Sequence, residues 1–181
     1  MIIRNLTDLT DEEYWAALKG LKEIFFTTSS RQNFSNNGEK EQFFKKWTSL
    51  YIQYFKNEIF FIYEPEIKTY RAYLTGCFDS HQFLKLALEQ HPDFATFSGY
   101  FKEFPAHLHI NCAPEAQGKG YGRILISHYI NQLKIKKIPG VHIVTSQQSS
   151  NVEFYKKIGF SYIVDKELNN HKLRFMGMNL K

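Results

Sequence analysis

The sequence predicts an α/β fold in which a mixed sheet carries helices on both faces. Two observations point there. In the second half of the chain, apolar and β-branched runs alternate with stretches of helical spacing. Between the strand-like run 107–112 and the apolar run Ile124-Leu125-Ile126 lies a turn with three glycines at alternate positions, the usual way to pass from a strand into a helix. At 181 residues, with 43% apolar and 23% charged residues, the chain can bury one core and is far from the composition of disorder. A single domain over 1–181 is expected.

The elements follow in order. Ile2, Ile3 and Arg4 suit a short first strand. Thr10 and Glu13 have capping-box spacing, and Tyr14, Leu18, Leu21 and Phe25 recur at helical intervals, which predicts a helix over 11–26. Residues 27–38 (TTSSRQNFSNNG) have turn composition throughout and are read as a mobile loop. A second helix over about 39–55 carries Phe43, Trp47, Leu50, Tyr51 and Tyr54 on one face. Residues 58–63 and 69–77 form a hairpin pair about a turn at Pro65. A helical piece over 81–90 and an aromatic loop over 94–104 precede the strand 107–112.

Beyond the glycine turn a helix is followed by the β-branched strand 141–145. Ser150 and Glu153 have the spacing of a second capping box, so a helix begins near Asn151 and stops at Gly159. Strands over 160–164 and 172–180 complete the chain, the last one despite Gly177.

Composition excludes several classes. No run of 18 apolar residues exists, and the N-terminus lacks the pattern of a signal peptide, so a cytoplasmic protein without a membrane partner is expected. Cys77 and Cys112 are too few for a disulfide scaffold and read as buried thiols. The net charge is +5, but the lysines are scattered in pairs (Lys45-Lys46, Lys136-Lys137, Lys156-Lys157), which argues against nucleic acid as a partner. A modest positive field suits a ligand with several phosphates.

The most informative stretch is Gln117-Gly118-Lys119-Gly120-Tyr121-Gly122-Arg123. Glycines leave backbone N–H groups bare, and at a helix start those groups lack acceptors while the helix dipole favours negative charge. A P-loop would need Ser or Thr after Gly118-Lys119, where Gly120 stands. A dinucleotide fingerprint would need glycine where Arg123 stands. What remains, Gln117-x-x-Gly120-x-Gly122, resembles the acyl-CoA pyrophosphate loop of the GNAT superfamily of acetyltransferases. One strand and one helix later, FYKKIGF (154–160) resembles that family's final motif. The resemblance covers roughly residues 105–165. Within the superfamily, FPAHLHI (104–110) is similar to the acetyltransferase-like domains related to those of O-GlcNAc hydrolases, although Asn111 stands where some of those relatives carry an acidic residue.

This resemblance implies a mostly antiparallel central sheet and an N-acetyltransferase with acetyl-CoA as cosubstrate and no metal. The backbone of Ile110, Asn111 and Cys112 is then expected to pair with the pantetheine arm and to polarise the thioester carbonyl. Gln117, Gly118, Lys119, Gly120, Tyr121, Gly122 and Arg123 are expected to cradle the pyrophosphate. Tyr155 falls where the family places a general acid, and a phenol of pKa about 10 matches a thiolate of similar basicity. The family often has an asparagine seven residues before that tyrosine; here Gln148 stands there, so either Gln148 or Asn151 contacts the pantetheine.

His107, His109 and Asn111 alternate onto one strand face, which makes His109 a candidate base. Glu103, Glu115 or a water relay are the alternatives. The acceptor, a small-molecule amine or a peptide or protein amine, would be selected by residues 27–38 with aromatics from 94–104. Either a monomer or a homodimer is compatible. The competing reading is a catalytically inactive module of the same fold that binds acyl-CoA or a partner.

Overall fold

The computed structural model of the chain describes residues 1–87 and 92–181. Its elements are β1 (Ile2–Asn5), α1 (Asp11–Thr28), α2 (Asn37–Tyr54), β2 (Ile59–Glu64), β3 (Thr69–Cys77), α3 (Ser80–Ala87), the single turn α4 (Pro92–Ala95), β4 (Ala106–Cys112), α5 (Tyr121–Ile135), β5 (Gly140–Ser146), α6 (Val152–Lys157), β6 (Tyr162–Leu168) and β7 (His171–Asn179). The strand order of the sheet is β1-β2-β3-β4-β5-β7-β6. Of its pairs, β4 with β5 is parallel, while β1–β2, β2–β3, β5–β7 and β6–β7 are antiparallel. The mixed, mostly antiparallel α/β fold expected from the sequence is the fold observed. Among the described residues, no helix is long and apolar enough to cross a membrane.

Two compact units divide the chain: residues 1–76 with 109–129, and residues 77–108 with 130–181. In the first, the Thr10–Glu13 capping box forms as expected. Residues 27–38 are more helical than their composition suggests. Thr28 donates its hydroxyl to the Ile24 carbonyl at 2.7 Å and Ser29 N–H reaches Phe25 at 2.9 Å, which extends α1. Asn36 caps α2 by accepting the Glu39 N–H at 2.9 Å. The connection shrinks to residues 29–36. Phe25 packs on Phe43 and Phe44 at ring distances of 5.6 and 5.4 Å, joining α1 to α2. Leu21, Ile59, Phe61, Ile62 and Leu74 complete a core removed from water.

The second unit is organised around aromatic and imidazole rings. His142 donates its Nδ1–H to the Phe104 carbonyl at 2.7 Å and stacks on Phe101 and Phe175, with centroids 5.0 and 4.6 Å away. His107 hydrogen-bonds the Ser80 hydroxyl at 2.7 Å. Phe94, Phe97, Phe101 and Phe104 are buried in the core, while Tyr100 is half-buried. Phe104 lies on Gly177, where a Cβ would come within 2.8 Å of the ring.

The helix predicted over 81–90 is present as α3 through Ala87, and residues 88–90 lie outside the described ones. Two local expectations in this unit are corrected. Asn151 sits at the N-cap of α6 without a side-chain cap bond, accepting instead from the Thr145 hydroxyl at 3.2 Å, while Glu153 pairs with Lys156 at 2.7 Å. The capping box of Ser150 and Glu153 does not form. The strand expected over 160–164 begins only at Tyr162, because Phe160 N–H closes onto the Tyr155 carbonyl (3.0 Å) and Gly159 N–H onto that of Lys156 (3.1 Å), a Schellman ending. Asn169 and Asn170, with φ of 50° and 64°, then make a two-residue turn that joins β6 and β7 as a hairpin.

Candidate active site

The site is built where β4 ends. β4 pairs with β5 at Ala106↔Val141 and His107↔His142, and residues 109–112 run on beyond these register pairs. Ala113 then turns the chain, its N–H held by the Arg71 carbonyl at 2.9 Å. Gln117 ties the turn back by donating its side-chain amide to the Cys112 carbonyl at 3.3 Å. Gly118 and Gly120 take φ of 76° and 84°, the left-handed region that strains other residues, and a Cβ at either would meet nothing within 4 Å. The loop surface over both glycines is therefore clear.

α5 starts at Tyr121, and its first backbone bond closes from Ile124 N–H to Gly120 at 3.1 Å. The N–H groups of Tyr121, Gly122 and Arg123 precede any helical acceptor. That of Gly122 points at the Cys112 sulfur; burial nonetheless pushes the Cys112 thiol up to about 11. Lys119 and Arg123 are exposed and have no ion-pair partner among the described residues. Clear glycines, the N–H groups of Tyr121 and Arg123 at the helix start and two exposed cations fit a polyphosphate.

A network that local patterns do not reveal fixes this loop. β2 and β3 pair Ile62↔Ala72 and then Tyr63↔Tyr70, which leaves Arg71 as the extra residue of a bulge. Such a bulge re-aims its side chain. Arg71 Nε donates to Glu64 at 2.8 Å, and another of its nitrogens to Glu115 at 2.6 Å. Glu64 also accepts the Tyr121 hydroxyl. The Tyr121 and Arg71 hydrogen bonds hold the Glu64 carboxyl below its ordinary range. Its one sequence signal was that Arg71 is the single charged residue of β3.

Beside β4 a pocket of about 300 Å³ opens in the first unit. Phe25, Phe43 and Trp47 give it aromatic walls; Thr28, Ser29, Ser30 and Arg31 come from the end of α1 and its connection, and Asn111 from β4. Residues 27–38 thus contribute as expected. Phe43 and Trp47, read from the sequence as part of a helix face, line a pocket instead of only filling core. Asn111 donates its side-chain amide to the Tyr73 hydroxyl at 2.7 Å. Tyr73 is buried, and burial drives its pKa upward.

The remaining candidates are distributed as follows. His109 is half-buried with its ring against the edge of Tyr51, 5.9 Å between centroids. Glu115 is committed to Arg71, and Glu103 is exposed. In the second unit Tyr155 is buried between Phe154 and Phe160, at 5.3 and 5.4 Å, on α6. Gln148 and Asn151 are exposed just before that helix.

A family model described as an acetyltransferase (GNAT) domain matches residues 77–181. SsHAT superposes with a TM-score of 0.73 at 17% identity, over 99% of this chain and 98% of that one. The ribosomal-protein-S18-alanine N-acetyltransferase of Escherichia coli gives 0.60 at 13% identity, over 99% and 94%. yncA of Salmonella typhimurium, solved with its cofactor acetyl-CoA, gives 0.55 at 17% identity, over 99% and 94%. These likenesses concern the fold; the family model covers more than half of the sequence, and the chain belongs to the GNAT family of acetyltransferases.

Proposed function

We propose that this protein transfers an acetyl group from acetyl-CoA to a primary amine by direct attack. The observation that carries the reading is the loop 117–123, with two left-handed glycines clear of neighbours at the start of α5 and two exposed cations beside them. Those N–H groups, with Lys119 and Arg123, hold the pyrophosphate. The backbone of Ile110, Asn111 and Cys112 receives the pantetheine arm, with Gln148 or Asn151 as a further contact, and polarises the carbonyl. When bound, acetyl-CoA supplies an activated thioester.

In the step, a C–N bond forms as the C–S bond breaks. Tyr155 gives its hydroxyl proton to the departing thiolate, and His109 or a water takes the proton shed by the amine. The acceptor is a small-molecule amine or an amine of a peptide or protein. The protein works in the cytoplasm as a monomer or homodimer, without nucleic acid or membrane.

Calorimetry with acetyl-CoA, against AMP as a control for generic anion binding, tests the coenzyme site. Micromolar binding of acetyl-CoA alone supports it; no binding refutes it. Tyr155→Phe should keep that binding and slow turnover at least tenfold. Unchanged turnover removes Tyr155 from the mechanism. If His109→Ala leaves the pH profile of kcat/KM intact, a water takes the proton. Firm coenzyme binding with no turnover across a broad amine panel would instead favour an inactive binding module.

A further inference from the structure

The pocket beside Asn111 narrows the class of acceptor, an inference that rests on the acetyl transfer just proposed. Its volume of about 300 Å³ lies at the small end for ligand sites, room for one compact group. Phe25, Phe43 and Trp47 offer that group apolar walls. Asn111 is the polar residue contributed by the central strand, and its orientation is set. Its amide nitrogen donates one N–H to the Tyr73 hydroxyl at 2.7 Å, and the carbonyl oxygen Oδ1 is the end able to accept an N–H.

Charge decides the rest. Among the described residues that line it none is a carboxylate or an imidazole, and the charged one is Arg31. Arg31 is bonded to Glu39 and lies over Phe34 and Phe43, its guanidinium 4.8 and 5.7 Å from their centroids. The neighbouring titratable groups are Glu39 and Tyr51 on α2, the buried Tyr73 on β3 and His109, two residues before Asn111 on β4. An ammonium ion entering here would face the Arg31 cation, with the Glu39 carboxylate already bonded to Arg31 and to the Ser35 N–H. A neutral amine meets Asn111 Oδ1 as an ordinary hydrogen-bond acceptor.

We infer that Asn111, held by Tyr73, receives the N–H of an acceptor that enters as the free base. The acceptor is therefore a weakly basic primary amine, such as an α-amine, on a compact apolar or aromatic group. Asn111 binds the acceptor; Tyr73 is a positioning residue. At pH 7 about a tenth of an α-amine of pKa near 8 is neutral, against roughly 4 in 10,000 of an alkylamine of pKa near 10.4.

The test compares the amides of phenylalanine, leucine and methionine with 2-phenylethylamine and 1,5-diaminopentane, following acetyl-CoA-dependent thiol release, with acetyl-CoA affinity measured separately by calorimetry. At least one amino-acid amide should exceed both alkylamines in kcat/KM at pH 7 by tenfold or more, and the gap should narrow as the pH rises toward 10. Asn111→Ala should raise the KM for the amide tenfold or more, and Tyr73→Phe should move it the same way by less. Preference for either alkylamine at pH 7 overturns the inference. So does an unchanged KM in Asn111→Ala, or no turnover of any amide by protein that binds acetyl-CoA. Failure to bind acetyl-CoA at all refutes the transfer itself and this inference with it.

Discussion

Arg71 on β3 joins Glu64 and Glu115 through one guanidinium, at 2.8 and 2.6 Å, while its own carbonyl holds the Ala113 N–H. A single bulged residue thereby sets where the glycine loop begins. Removing it frees one end of the loop without touching the glycines. Arg71→Ala should raise the KM for acetyl-CoA about tenfold, equivalent to ~1.4 kcal/mol, with kcat little changed. Arg71→Lys should not restore it, since one ammonium cannot reproduce the planar fork. Steady-state kinetics at saturating amine decides the matter.

The loop glycines make a second prediction. Gly120→Ala places a Cβ on a residue with φ of 84°, where nothing obstructs it but the backbone is strained. Stability should fall by about 1 kcal/mol, and acetyl-CoA affinity should fall with it if the clear surface is where phosphate lies. Thermal melting with and without acetyl-CoA separates the two effects.

Acid should weaken the network through Glu64. Its carboxyl is held below the ordinary value near 4.5, first by the Tyr121 hydroxyl and then by Arg71. The unfolded chain therefore binds that proton more readily than the folded one, so the stabilisation is present above about pH 4.5 and is lost as the pH falls through the lower folded value. The melting-temperature gap between wild type and Glu64→Gln should be open at pH 7 and shrink below pH 4.5. A gap that stays constant down to pH 3 would show that Glu64 is not the titrating group.

Cys112 should be chemically quiet despite its place at the site. With its thiol pushed up to about 11 by burial, about 1 in 1,000 molecules carries a thiolate at pH 8, roughly 200-fold fewer than for a free thiol. Iodoacetamide should alkylate it correspondingly slowly in folded protein and readily once the chain is unfolded, as mass spectrometry would show.

How much of this was legible in the sequence depended on range. The Thr10–Glu13 cap, the strand ending at Cys112 and the glycine turn are local patterns, and each appears where its spacing placed it. Ser150 and Glu153 had equally good spacing, but Lys156 competes for the glutamate and Thr145 for Asn151. The β6–β7 hairpin escaped notice because its two-residue turn is Asn169-Asn170, with left-handed φ and no glycine. Arg71 with Glu115, and Tyr73 with Asn111, are separated by 44 and 38 positions, and no window along a chain reports such pairs. Both depend on a bulge and a register that exist only once the strands are paired.

Gly177 illustrates a different lesson. Glycine ranks low for strand propensity, so a substitution scheme guided by propensity would replace it early in β7. The Phe104 ring occupies the space that any side chain would need, within 2.8 Å of a would-be Cβ. Engineering for thermostability in this family member should therefore treat that position as belonging to the aromatic core, and direct propensity-raising changes to exposed strand residues such as Lys172.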